Sequence, residues 1–224
     1  LHQAIERHYH TAQTVEQFLS AAVAAQARLV AQWMGLGFIH GVMNTDNSHV
    51  GGITIDYGPC AFMDEFVPMK TFSSIDRQGR YAYGNQPNLA AWNMAQLATA
   101  LLPLTEDREA SIARFTEIVQ GFGDIFDREY AAVFARKIGL TPSQETDVLV
   151  DGLLKMMANI GAVTLLSNLV RSYTVPVAII SSMPTPIPTA IANPCPFGWS
   201  FEPVKSLCVW LHVGHSWDEC NEIC

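Results

Sequence analysis

From residue 40 to residue 59 the chain reads H-G-V-M-N-T-D-N-S-H-V-G-G-I-T-I-D-Y-G-P, and few architectures accommodate such a stretch. Asn44, Thr45, Asp46, Asn47 and Ser48 form an unbroken run of side-chain oxygens. Such residues bond to nearby backbone and favour turns over helix or ladder. Gly51-Gly52 then marks a tight turn, which predicts a hairpin of two short strands over 48–55, with Ile53 and Ile55 on one face and Thr54 on the other. Asp56 follows the second strand directly, and Gly58-Pro59 stops further regular structure. Because a hairpin doubles back, Asn47 before it and Asp56 after it are expected to converge in space.

The segments around this stretch read as helices. Thr14 and Gln17, three apart, form a capping box. Phe18, Leu19, Ala22, Val23, Leu29, Val30, Trp33 and Met34 follow at helical spacing on one face. Gly35 and Gly37 are expected to end that helix. Residues 1–10 read as the end of a helix whose start is missing. Residues 61–87 show no sustained period and read as a long loop with interleaved aromatics. Helices are predicted again from Asn88 to Pro103, from Thr105 or Glu106 to Gln120, from Asp124 to Ile138, and from Thr141-Pro142-Ser143-Gln144 to about Ile160. The expected fold class is mainly α with a short β-hairpin.

Composition narrows the function. A chain of 224 residues with 49% hydrophobic content suits one domain with a real core. A net charge of −8 argues against a nucleic-acid-binding surface, which needs a basic patch. No uninterrupted apolar run reaches membrane-spanning length, so no membrane span is expected. Cys60 is the sole cysteine before Cys195, which fits a reducing cytosol. Beyond residue 161 the character changes. Seven of the 12 prolines fall between Val175 and Val204, and Cys195, Cys208, Cys220 and Cys224 all follow Pro194. Residues 162–224 are therefore expected to be an atypical Pro/Cys-rich tail, disordered or frameshifted. Its cysteines lack the paired C-x-x-C spacing of a zinc site.

Phosphoryl and nucleotidyl transfer ask the protein for a divalent metal on the phosphates and a carboxylate near the attacking hydroxyl. Magnesium accepts one or two protein oxygens beside phosphate and water. Asn47 and Asp56 suit that role. A protein-kinase loop reads H-x-D-x-x-x-x-N before a hairpin and D-F-G. His40, Asn47 and Asp56-Tyr57-Gly58 keep those offsets, but Val42 stands where a kinase has its base. The carboxylate left in the loop is Asp46. Other candidates read more simply as structure: His8, His10 and His49 as solvated histidines, His40 as a loop organiser, Trp33 and Trp92 as core, and Asp124, Asp127 and Glu129 as a charged first helical turn. The loop from Ser73 to Tyr83 either meets a protein substrate or packs over the helices.

The motifs H-G-V-M-N-T-D-N and T-I-D-Y-G-P, together with F-S-S-I-D-R-Q-G-R-Y-A-Y-G-N-Q-P, A-W-N-M-A-Q-L-A and R-H-Y near the start, resemble the selenoprotein O family, whose bacterial members are called YdiU. The resemblance covers residues 1–161. It implies a protein-kinase-like C-terminal lobe of a pseudokinase lacking the usual base. It also implies transfer of AMP from ATP to Ser, Thr or Tyr hydroxyls of proteins, with ATP in a flipped orientation. Transfer of UMP with manganese is associated with bacterial members. Carried over by position, Asp46 is the proton acceptor and Asn47 and Asp56 ligate Mg2+ or Mn2+, with Asp56 also near the nucleotide phosphates. The expected partners are ATP and protein substrates, in the cytoplasm of a bacterium or the mitochondrion of a eukaryote. The family's nucleotide-cradling lobe would precede Leu1, so a fragment with half of the active site is expected. The selenocysteine region of the family does not map onto Cys220 or Cys224. Two rivals remain: a small-molecule kinase of the aminoglycoside-phosphotransferase type, against which Val42 speaks, and a catalytically dead remnant.

Overall fold

The structure, a computed structural model, describes residues 1–160; the expectations for residues 162–224 lie outside the described residues. Six helices carry the fold: α1 (His2–His8), α2 (Val15–Leu36), α3 (Gln86–Leu101), α4 (Arg108–Gln120), α5 (Phe122–Lys137) and α6 (Gln144–Ile160). Two short strands, β1 (Phe38–Ile39) and β2 (Ala61–Phe62), pair antiparallel, Phe38 opposite Phe62 and Ile39 opposite Ala61. The protein is thus mainly helical with one small sheet.

Helix α2 is the axis of the molecule. Thr14 caps it by accepting from the Gln17 N–H at 3.2 Å. The Gln17 side chain reaches back to the Gln13 N–H at 2.7 Å, one residue before the position a standard capping box would satisfy. Its apolar face buries Phe18, Leu19, Ala22, Val23, Ala27, Val30, Ala31 and Met34 against α3, α4 and α5. Phe115 and Val119 of α4, and Phe122, Phe126 and Phe134 of α5, fill the space opposite.

Gly37 ends α2 in the left-handed conformation, φ 68°. Gly35 does not end it. It sits inside the helix, where a Cβ would lie 2.2 Å from Val133 Cγ1 on α5. Its role is close approach of two helices rather than termination, which sequence alone does not distinguish.

Other boundaries shift for local reasons. Asp107 rather than Thr105 or Glu106 caps α4, accepting from Ala110 N–H at 3.0 Å. A short 3-10 turn, Leu102–Leu104, absorbs Pro103. Ser143 rather than Thr141 caps α6, accepting from the Thr146 N–H at 3.1 Å, while the Thr146 hydroxyl donates to Thr141 O. Gly121 alone breaks the chain between α4 and α5. Asp124 lies in the first turn of α5, but Asp127 lies beyond it and is half-buried.

The predicted hairpin is reduced to one isolated antiparallel bridge, Ser48 with Thr54. The Gly52 N–H closes the turn on His49 O at 3.0 Å, with Gly52 at φ 65°. The regular pairing occurs instead at the base of the stretch, between β1 and β2, the second of which opens what the sequence presents as a structureless loop.

Candidate active site: a polar loop pinned on an antiparallel base

Residues 40–60 leave the core between β1 and β2 and return. The β1–β2 pairing closes the base, and the Ser48–Thr54 bridge pinches the excursion again. The outgoing arm carries Asp46 and Asn47 just before that bridge, and the returning arm carries Asp56 two residues after it.

His40 ties the two arms together. It is 1% exposed, beside Trp33 at 5.5 Å between ring centroids. Its Nδ1 accepts from the Val42 N–H at 3.4 Å, and its Nε2 lies 2.8 Å from Ile55 O. A carbonyl can only accept, so the hydrogen belongs on Nε2. The imidazole thereby holds the start of the polar loop to the residue just before Asp56. It organises the loop from a buried position.

Val42 contributes only its backbone. Its carbonyl accepts from Asn47 Nδ2 at 3.1 Å. With the amide nitrogen anchored, the Asn47 oxygen is left as an acceptor. Asp46 is exposed in the 3-10 turn Thr45–Asn47, a placement open to a hydroxyl. Asp56 is exposed as well, at φ 53°, and is the non-glycine residue with positive φ among those described. Its carbonyl accepts from the Gly58 N–H at 2.8 Å, which tightens the turn through Tyr57. Left-handed backbone is costly for a residue with a side chain, although Asp tolerates it better than most. Such strain collects where a side chain must be aimed.

Helix α3 holds this loop from behind. Gln86 and Asn93 are two turns apart and share a face. The Gln86 amide brackets the strand end, accepting from the His40 N–H at 2.9 Å and donating to Phe38 O at 2.9 Å. Asn93 donates to Met43 O at 3.0 Å and to Ser48 Oγ at 2.6 Å. The hairpin tip is held from the other side, Gln26 Nε2 donating to His49 O and the Tyr9 hydroxyl to Val50 O, each at 2.6 Å. Trp33 Nε1 donates to Thr54 Oγ1 at 2.9 Å. Sequence reasoning missed Gln86, Asn93, Gln26 and Tyr9 as site residues. The available signal was an amide on an otherwise apolar helix face at Gln26, Gln86 and Asn93, since a buried amide needs partners.

The loop between Ser73 and Tyr83 packs over the helices. Asp76 accepts from the Arg80 and Tyr81 N–H groups at 2.8 Å each, the Tyr81 hydroxyl donates to Asn44 Oδ1, and the buried Tyr83 hydroxyl donates to Met34 O at 2.6 Å. Desolvation pushes the Tyr83 phenol above its usual range. Ile75 stays 82% exposed, so one end of the loop remains open to a partner. Trp92 is partly buried rather than core, with the Arg80 guanidinium 5.3 Å from its ring.

His8 and His49, read from sequence as separate solvated residues, meet edge to face at 4.8 Å. Desolvation first, then the charges of His8 and Arg7, hold His49 below the usual imidazole range. They build no metal centre: among the described residues no group of three His, Cys, Asp or Glu is placed to hold a metal ion.

The donor set at the loop is an amide oxygen from Asn47 and a carboxylate from Asp56. Two hard oxygen ligands suit Mg2+ or Mn2+, which fill their remaining positions with phosphate and water. Asp46 and Asp56, both exposed carboxylates of this loop, would repel a triphosphate without a cation to neutralise it. The residues therefore fit a metal–nucleotide complex.

Fold and site together describe a mainly helical lobe that presents a run of side-chain oxygens on a pinned loop. A family model described as protein adenylyltransferase SelO matches residues 1–169, and the chain belongs to that family. Similar proteins include three named protein nucleotidyltransferase YdiU. That of Ruegeria pomeroyi is 56% identical over 156 residues, covering 69% of this chain and 33% of the relative. That of Jannaschia sp. is 58% identical over 147 residues, covering 66% of this chain and 31% of the relative. That of Methylorubrum populi is 47% identical over 194 residues, covering 84% of this chain and 38% of the relative. The chain thus spans about a third of the length of the curated relatives it matches. No helix among the described residues is long and apolar enough to cross a membrane.

Proposed function

We propose that residues 1–161 are the kinase-like helical lobe of a protein adenylyltransferase, which transfers AMP from ATP to Ser, Thr or Tyr hydroxyls of cytoplasmic protein substrates. The observation that carries the reading is the pinned loop. One bridge and one imidazole tie the arm that carries Asp46 and Asn47 to the arm that carries Asp56, with Val42 engaged through its backbone alone. Asn47 and Asp56 hold Mg2+ or Mn2+, and Asp56 also faces the nucleotide phosphates. The cation supplies charge neutralisation at the phosphate under attack. Asp46 takes the proton from the attacking hydroxyl. That hydroxyl oxygen forms a bond to the α-phosphorus as pyrophosphate leaves. The remaining contacts to ATP come from the parts of the full-length protein outside this chain. The same absence of a side-chain base at Val42 disfavours a small-molecule kinase.

ATP labelled on the α- or the γ-phosphate separates these chemistries in the full-length protein. Protein labelling from α-labelled ATP is expected, and labelling from γ-labelled ATP alone overturns the reading. Asp46→Ala is expected to lower transfer by at least 100-fold with nucleotide binding retained; unchanged transfer removes Asp46 as the proton acceptor.

A further inference from the structure

We propose that Asn93 is a positioning residue for this site, setting the separation of Asn47 and Asp56 through a single side-chain amide; this rests on the reading of those two residues as metal ligands. Asn93 is 3% exposed on α3 and lies outside the polar loop it holds. Both hydrogens of its amide are used, one on Met43 O at 3.0 Å and one on Ser48 Oγ at 2.6 Å. Met43 O can only accept, so the nitrogen must face it and the orientation of the amide is fixed.

Met43 and Ser48 are the two ends of the loop that contains Asp46 and Asn47. The loop's own backbone ties are the Asn47 N–H to Asn44 O at 3.0 Å and the longer Ser48 N–H to Thr45 O at 3.3 Å. They set its curvature but do not attach it to the core. Asn93 attaches both ends at once. The backbone of Ser48 is the partner of Thr54, two residues before Asp56. One amide therefore reaches the arm of Asn47 directly and the arm of Asp56 through the bridge.

The unused atom supports this assignment. Asn93 Oδ1 is buried and has no hydrogen-bond partner. A buried polar atom without a partner opposes folding and is rare without a reason. An apolar residue would avoid that cost but leave Met43 O and the Ser48 hydroxyl without their donor. Aspartate would set a second acceptor against Met43 O. Only a short side chain with two hydrogens at its tip serves both partners, so the orphaned oxygen accompanies the geometry the loop needs.

The test compares full-length Asn93→Asp and Asn93→Ala with wild type by two readouts. The first is hydrogen exchange of the backbone over residues 43–56, which needs no activity. Both variants are expected to speed exchange there at least 10-fold, with α2 and α5 unchanged. The second is α-labelled ATP transfer against Mn2+ concentration. The Mn2+ needed for half-maximal rate is expected to rise at least five-fold and kcat to fall at least 10-fold, with KM for protein substrate within two-fold. Ser48→Ala removes one of the two bonds and is expected to give a smaller shift that does not add to that of Asn93→Ala. Unchanged exchange over 43–56 in a folded variant overturns the proposal, as does faster exchange spread evenly over the helices. Faster loop exchange in the variants, alongside a wild type that shows no transfer at all, overturns the adenylyltransferase reading while leaving the tether intact.

Discussion

At the scale of single residues, the site combines one strained backbone and one satisfied imidazole. Asp56 holds φ 53° where glycine would be comfortable. Asp56→Gly is therefore expected to keep or raise the unfolding stability of this lobe, by up to about 1 kcal/mol, while abolishing transfer by the full-length protein. Urea unfolding beside an α-labelled ATP assay checks both halves; a clear loss of stability would show that the carboxylate, rather than the turn, holds this segment. His40→Ala removes both bonds that join Val42 to Ile55. It is expected to cost about 1–3 kcal/mol, since the partner groups it leaves are part-buried. The offsets from His40 to Asn47 and Asp56 were legible in the sequence because they are distances along the chain. The left-handed backbone at Asp56 was not, because Asp carries no more than a mild preference for it.

At the scale of elements, the fold depends on how closely two helices approach. A methyl group at Gly35 would overlap Val133 Cγ1, and a β-branched side chain has little freedom to move aside. Gly35→Ala is expected to destabilise by about 1–3 kcal/mol through overpacking of α2 on α5, read as a fall in the urea midpoint. Gly52 makes the complementary case at the hairpin tip. It has φ 65°, and a Cβ there would meet Ala25 Cβ at 2.7 Å and Ala25 O at 2.9 Å. Gly52→Ala is expected to lift the tip off α2 and speed exchange at His49 and Val50 ahead of the core. The helices themselves were readable from caps and periodicity, as at Thr14, whereas the cap of α4 fell at Asp107, past the Thr105 or Glu106 that the sequence suggested. The strands were not: β1 and β2 are two residues each, too short for a period, and they exist because partners 22 to 24 residues apart pair across the base of the loop.

At the scale of the whole molecule, the acid–base balance of the helical face makes stability depend on pH. Desolvation, helped by the charge of Asp124, pushes Asp127 up from 3.8 to about 6. The folded state then holds this proton more tightly than the unfolded chain. The resulting stabilisation is complete below pH 3.8 and is lost as pH rises through about 6. Asp127→Asn is expected to be more stable than wild type at pH 7 to 8, with the advantage vanishing near pH 4. Denaturant midpoints across that range check the sign.

The chain alone determined what is local: which segments coil, where most of them stop, and that His40, Asn47 and Asp56 keep the offsets of a kinase loop while Val42 lacks a basic side chain. Its motifs also placed it in the family that the comparison identified. The tertiary structure alone decided what depends on contacts between distant segments: that an antiparallel base closes residues 40–60, that Gly35 serves packing, that His8 meets His49, and that Gln86 and Asn93 hold the loop from 46 and 50 residues away. The physical reason is one of range. Caps, turns and spacing act over a few residues, whereas the partners of a buried amide are known only once the helix bearing it has packed.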